Sequence, residues 1–356
     1  MLAEILPKLA AMEFEGQKPF YPRPSSAGPD RCIRQMVYHG LNTPPKPLPG
    51  RAILIFDDSS WHEELTADWV RKSSFTLHSE QMEVDCHEPM RKGHIDGIIT
   101  DAMSTDRLWE HKAINHFTFN NFWNGNEFPE DYFTQCAVYT EGLQKDNPDL
   151  KDGLLLIKNK NTAQYMEFSL HYDRDTDTLS INKKIHSTGE VLGLEELRVN
   201  IVQDACDKFD KVLDYIKRQT LPKRQYDIDH WRCDYCQYNQ TCWDGYEKEF
   251  AELKTDTMLP NEIADMVRYK KETSAHRLEM QKEEKELTEK IKQIMKDAGV
   301  REGRTPEYIC KLSLRKSQTL DKHIIPQKII DEATQISYYE KLDIRKIKEE
   351  KNGKRK

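Results

Sequence analysis

Apolar residues recur at helical spacing over residues 2–12, 30–41 and 51–72, the last with Ile53, Leu54, Phe56, Leu65, Trp69 and Val70 near a 3.6-residue period. Breaks rich in Pro, Ser and Gly at 18–29 and 42–50 separate these helices. His62 falls within the third helix or at a break near Ser59 and Ser60. Short β-like runs follow at 75–84, 93–100 and 107–113, and the turn residues of 101–106 join the last two into an antiparallel hairpin. The pattern then predicts a helix over 129–143, strands over 153–172 and 178–185, and a long amphipathic helix over 194–219. Helices, a meander and more helices imply an α/β (α+β) fold in which helices flank a central mixed sheet.

Past Cys242 the pattern changes. Residues 261–299 read as one charged helix with a narrow apolar stripe of Leu287, Ile291, Ile294, Met295 and Ala298, and Gly299 as its stop. A stripe that narrow covers a neighbour and forms no core. Residues 308–315 alternate like a last strand. The expected organisation is a core over 1–250, a helical extension over 251–300 and a strand region with a basic tail over 301–356.

Composition narrows the class. Charged residues make up 32% of the 356, and mean hydropathy is −0.83. The apolar run Leu154 to Ile157 is among the longest, so no membrane-spanning helix is expected. The first residues, MLAEILPKLA, lack the basic and apolar regions of a secretory signal, which implies a cytoplasmic protein with reduced cysteines. A net charge of −7 weighs against nucleic-acid binding, yet the segment 345–356, RKIKEEKNGKRK, is strongly basic, and a carboxylate site that binds a divalent cation carries positive charge of its own. A basic terminus is also commonly just solvated tail. No G-x4-G-K-[ST] phosphate loop is present, so the chain is not an ATPase by that route.

The chemistry centres on GHIDGIIT (93–100) and LWEHKAI (108–114). Side chains at i and i+2 of a strand share a face, so Glu110 and Lys112 point one way and His111 the other. The hairpin can set Asp96 beside Glu110. Two adjacent carboxylates ionise together cheaply only around a cation such as Mg²⁺ or Mn²⁺, and the ammonium of Lys112 beside them can orient or deprotonate a water and offset charge developing on a phosphate. Taken alone, D-x13-E-x-K also fits a solvated hairpin. Gln135 and Tyr139, four apart on one helix face, can both reach a phosphate or the lysine.

In this order the residues resemble the PD-(D/E)XK nuclease superfamily, in its RecB-like branch with CRISPR-adaptation nucleases, AddB nuclease domains and phage recombination exonucleases. The match covers roughly residues 25–245: a helical histidine (His62), Asp96-Gly97, Glu110-x-Lys112, and Q-x3-Y at Gln135 and Tyr139. The resemblance implies a restriction-endonuclease-like core, a metal-dependent deoxyribonuclease, and Mg²⁺ or Mn²⁺ held by His62, Asp96, Glu110 and the backbone carbonyl of His111. It implies DNA as partner, with protein partners or self-association left open, and a phage or prokaryotic setting.

Cys233-x2-Cys236-x5-Cys242 is a second signal, since a C-x2-C turn aims two thiolates at one ion and a third soon follows. Four thiolates suit Zn²⁺ or a [4Fe–4S] cluster equally. The resemblance supplies Cys32 as the fourth ligand and favours iron–sulfur; Cys86, Cys136, Cys206 and Cys310 read as small buried residues. The leading expectation is an exonuclease acting on DNA ends. Its rivals are a CRISPR-adaptation-type nuclease, which the segment after 261 exceeds in length, and a non-catalytic DNA-binding module with structural zinc, which would be free to lose Asp96, Glu110 and Lys112.

Overall fold

The structure is a computed structural model that describes residues 2–14, 16, 18–90, 92–253, 261–305 and 308–314. The basic segment 345–356 lies outside them. Two compact units divide the chain, residues 1–244 and 245–356.

In the first unit, helices α1 (Leu2–Glu13), α2 (Ile33–Gly40) and α3 (Gly50–Arg71) precede the strands. Strands β1 (Thr76–His78), β2 (Glu83–Asp85), β3 (Lys92–His94), β4 (Gly97–Thr100) and β5 (Asp106–Ile114) come next, followed by helices α4 (His116–Trp123) and α5 (Glu130–Leu143). Strands β6 (Asp152–Asn159), β7 (Tyr165–Asp173), β8 (Thr178–His186) and β9 (Val191–Val199) lead into α6 (Ile201–Arg218) and the short helices α7 (Trp231–Asp234) and α8 (Asn239–Trp243). A seven-stranded sheet runs β1-β4-β5-β6-β7-β8-β9, antiparallel except where β5 and β6 pair in parallel, and β2 and β3 form a separate ribbon. The parallel pair needs a crossover, which α4 and α5 provide. This is the central mixed sheet flanked by helices that the pattern implied.

The β4–β5 hairpin closes on Asp101, whose carboxylate accepts the N–H groups of Met103 at 2.9 Å and Thr105 at 3.1 Å. Register pairs Gly97 with Trp109, so Asp96 lies at the strand's entry beside Glu110. Strand alternation then sorts the faces. Trp109 packs with Ala67 and Val70 of α3 and with Ile99, Leu154 and Leu156, whereas Leu108, Leu155, Ile157 and Phe168 face the main core with Phe133 and Ala137 of α5. Helix α5 is buried from Phe133 to Leu143, which fixes whatever its polar side chains touch.

Three local expectations give way. Residues 194–219 are not one helix: β9 takes the first part, because pairing with β8 satisfies its backbone while Leu194 packs on the core and Arg198 reaches Glu130. Asn200, with φ 55°, ends the strand, and the Asp177 carboxylate accepts Val202 N–H at 3.0 Å and Gln203 N–H at 2.9 Å to start α6. The run 153–172 is a hairpin, β6 and β7, turning at Ala163 with φ 56°. The run 75–84 splits between two sheets where Ser79 and Gln81 have positive φ. Helix α4 has no counterpart in the expected elements; Asn115 caps it by accepting Thr118 N–H at 2.9 Å.

The second unit contains α9 (Tyr246–Ala251), the 37-residue α10 (Asn261–Asp297), and the ribbon β10 (Glu302–Arg304) with β11 (Ile309–Lys311). Leu287, Ile291 and Ile294 are exposed on α10. Among the described residues no helix is long and apolar enough to cross a membrane.

Candidate active site

Strand β5 turns Glu110 and Lys112 toward α5 and His111 toward the opposite face. The Glu110 side chain is only 1% exposed. Its Oε1 takes two donors, the Lys112 ammonium and the Gln135 amide at 2.7 Å, while its Oε2 is buried without a partner. Asp96 is tied to the same strand, its Oδ2 accepting the His111 N–H at 2.8 Å. His111 therefore meets Asp96 through its main chain. Its ring packs near Trp109 at 6.0 Å between centroids, with Nε2 buried and unpartnered. Tyr139 lies one turn beyond Gln135 and interacts with it by hydrogen bond. The strand entry is shaped around that phenol, because a Cβ on Gly93 would fall 2.7 Å from Tyr139 Cε1. Glu110, Lys112, Asp96, Gln135 and Tyr139 thus form one constellation.

Electrostatics at this constellation favour a cation. Burial raises the Glu110 carboxyl to about 8, with Lys112 opposing and Asp96 adding to the rise. Asp96 is raised chiefly by burial against the pull of Lys112 and of the His111 N–H. Burial depresses Lys112, but Glu110 and Asp96 outweigh it and hold the ammonium protonated. Burial is the main cause of both rises, so the charged forms of Glu110 and Asp96 lack the compensation that water would give. A cation of higher charge relieves that burden, and the bare Glu110 Oε2 is an oxygen free to meet one.

Two side chains were missed. Glu63, half-buried on α3, accepts Gln81 Nε2 at 3.1 Å, and its carboxyl is raised to about 7 by burial and then by Asp96, with Lys112 opposing. It shares the field of the constellation. His62, the residue before it, is lowered by burial and then by Lys158 and Lys160, with Asp58 opposing. His62 in turn adds to the lowering of His111, the residue whose N–H meets Asp96. Tyr132 was also unforeseen: its ring lies 5.7 Å from the Lys112 ammonium. Among the described residues no three His, Cys, Asp or Glu side chains stand at coordinating distance around one point.

The four cysteines form a second centre. Cys32 stands at the start of α2, and Cys233, Cys236 and Cys242 lie on the α7–α8 segment, yet all four line one cavity of about 30 Å³ with Arg34, Tyr38 and Trp243. Burial raises Cys32, Cys233 and Cys236, the last to about 11, and each also feels other members of the set. Backbone N–H groups of Arg34 and Gln35 support the Cys32 sulfur, and Tyr238 N–H donates to Cys236 Sγ at 3.4 Å. The fold thus brings the four cysteines to one small cavity with N–H donors beside them, without setting three of the sulfurs at coordinating distance around one point. Cys86, Cys136 and Cys206 are buried.

No protein-family model and no curated protein matches the chain. Among solved structures it is similar to the protein SSO0001, at 13% identity over 68% of this chain and 96% of that one, with a TM-score of 0.34. It is also similar to an alkaline exonuclease, LHK-Exo, from Laribacter hongkongensis, at 10% identity over 52% of this chain and 80% of that one, with a TM-score of 0.32. The same exonuclease in complex with dAMP gives a TM-score of 0.34 at the same identity and coverage. Likenesses this distant assign no activity.

Proposed function

We propose that the chain is a metal-dependent DNA nuclease of the PD-(D/E)XK superfamily, in its RecB-like branch, acting as an exonuclease on DNA ends. The reading is carried by one observation: Glu110 is clamped by Lys112 and Gln135 beside Asp96, with its second oxygen buried and bare. Asp96, Glu110 and the His111 carbonyl would hold Mg²⁺ or Mn²⁺, which would supply Lewis acidity toward the scissile phosphate. Lys112 orients the attacking water and balances charge on the phosphate as the bond breaks. Gln135 holds Glu110 in place, Tyr139 backs Gln135, and Tyr132 covers the lysine. Cys32, Cys233, Cys236 and Cys242 hold a [4Fe–4S] cluster, or Zn²⁺ in the alternative, and tie residues two hundred apart in sequence.

End-labelled linear DNA and closed circular DNA separate exonuclease from endonuclease action. Linear DNA should be shortened to mononucleotides or short oligonucleotides while the circle survives; nicking of the circle at an equal rate overturns the exonuclease reading. Glu63 and His62, adjacent on α3, are the two candidates for a further metal contact, and Glu63 is the one proposed. Glu63→Ala should raise the Mn²⁺ concentration for half-maximal cleavage by roughly tenfold or more, and His62→Ala should raise it less. The reverse order would return His62 to the metal.

A further inference from the structure

Two acids open α5, and the second is held by both segments that carry the cysteines. Asp131 accepts the Asp30 N–H at 3.0 Å through Oδ1, while its Oδ2 lies 3.3 Å from Arg31 Nε and 3.6 Å from an Arg232 terminal nitrogen. Asp30 and Arg31 immediately precede Cys32, and Arg232 immediately precedes Cys233. The segments are also bound to each other: Arg232 meets the Asp30 carboxylate at 3.1 Å, and Tyr226 Oη donates to the Asp30 carbonyl at 2.6 Å. The approach to α5 is close, since a Cβ on Gly28 would fall 2.4 Å from the Asp131 Cα, and Lys208 fixes that loop by donating to the Gly28 carbonyl. The Asp131 side chain is 13% exposed and that of Arg232 22%, while Arg31 at 44% stays open to solvent. One turn further along the same buried helix, Gln135 donates to Glu110.

We propose that Asp131 is a positioning residue that transmits the state of the four-cysteine centre to the active-site carboxylates. When the cysteines are held together, Asp30, Arg31 and Arg232 converge on Asp131 and fix the first turn of α5 through charge-assisted hydrogen bonds, in a place where an acid also suits the helix dipole. A helix buried from Phe133 to Leu143 moves as a rigid body, so fixing its first turn fixes Gln135 against Glu110. Release of the cysteines frees both arginines, loosens the first turn and lets Gln135 leave Glu110. The assignment rests on the nuclease reading for its catalytic consequence alone.

The test combines amide hydrogen exchange over residues 130–143 with steady-state cleavage. Asp131→Ala should accelerate exchange over the first turns of α5 and lower kcat by roughly tenfold, with iron or zinc content unchanged and KM for DNA nearly unchanged. Arg232→Ala should give part of the same effect, Arg232→Lys should restore most of it, and the Asp131→Ala/Arg232→Ala double variant should be no worse than Asp131→Ala. Cys233→Ser should accelerate α5 exchange in the wild-type background and add nothing in the Asp131→Ala background; if Cys233→Ser does not fold, the Arg232→Ala pair makes the same comparison. Wild-type exchange in Asp131→Ala, or additive effects of Asp131 and Arg232, would overturn the proposal. If the wild-type protein cleaves no DNA, the nuclease reading fails while the exchange arm still decides the role of Asp131.

Discussion

Asp96→Ala, Glu110→Ala and Lys112→Ala should each lower DNA cleavage by on the order of 10³-fold while leaving circular dichroism and metal content of the cysteine centre unchanged. Each removes a different part of one device. Without Glu110, Lys112 and Gln135 lose their shared acceptor and the bare oxygen is gone. Loss of Asp96 releases the His111 N–H and leaves a single acid beside the lysine on β5. In Lys112→Ala the two raised carboxyls lose the charge that opposes their rise. Because the three act together, the double variants should be little worse than the singles. Near-normal cleavage by any one of them would remove that residue from the mechanism.

The second large effect concerns Cys32. Joining Cys32 to Cys233 closes a loop of about two hundred residues, and a cross-link of that span removes about 5 kcal/mol of unfolded-state entropy. Cys32→Ala, like Cys233→Ala, Cys236→Ala or Cys242→Ala, should therefore lower Tm by roughly 10 °C and abolish the bound metal, with cleavage lost as a consequence. Elemental analysis of anaerobically prepared protein identifies the centre: iron with sulfide supports [4Fe–4S], and about one zinc per chain with no iron would replace it while keeping the four-ligand staple. Unchanged metal content and Tm in Cys32→Ala would refute the staple.

Much of the site was legible because it is local. The alternation of Leu108 to Ile114 put Glu110 and Lys112 on one face, and the turn residues at 101–106 brought Asp96 to the strand's side. Gln135 and Tyr139 followed from helical spacing, but the Gln135 amide meets Glu110 in place of the lysine or phosphate expected of it. Glu63 was not legible, since on a charged helix no local pattern separates a carboxylate aimed at the core from its neighbour Glu64 in solvent. What selects Glu63 is how α3 lies against β5, a tertiary fact. Strand β9 was misread for a related reason: Leu194, Leu197 and Ile201 also fit a helical period, and only pairing with β8 and the positive φ of Asn200 decide for a strand. Cys32 had no local signal at all, because its partners lie two hundred residues away and only the folded α2 and α7–α8 segments bring them to one cavity.

The central claim is that the Asp96–Glu110–Lys112 centre hydrolyses DNA with a divalent cation distinct from any metal held by the cysteines. Cleavage of end-labelled DNA by the wild-type protein, followed with Mn²⁺ and then with excess EDTA while iron and zinc content are recorded, tests it most directly. The account predicts cleavage with Mn²⁺ that stops on EDTA addition while the cysteine-bound metal stays in place; cleavage that continues undiminished in excess EDTA, or no cleavage with any divalent ion, would contradict it.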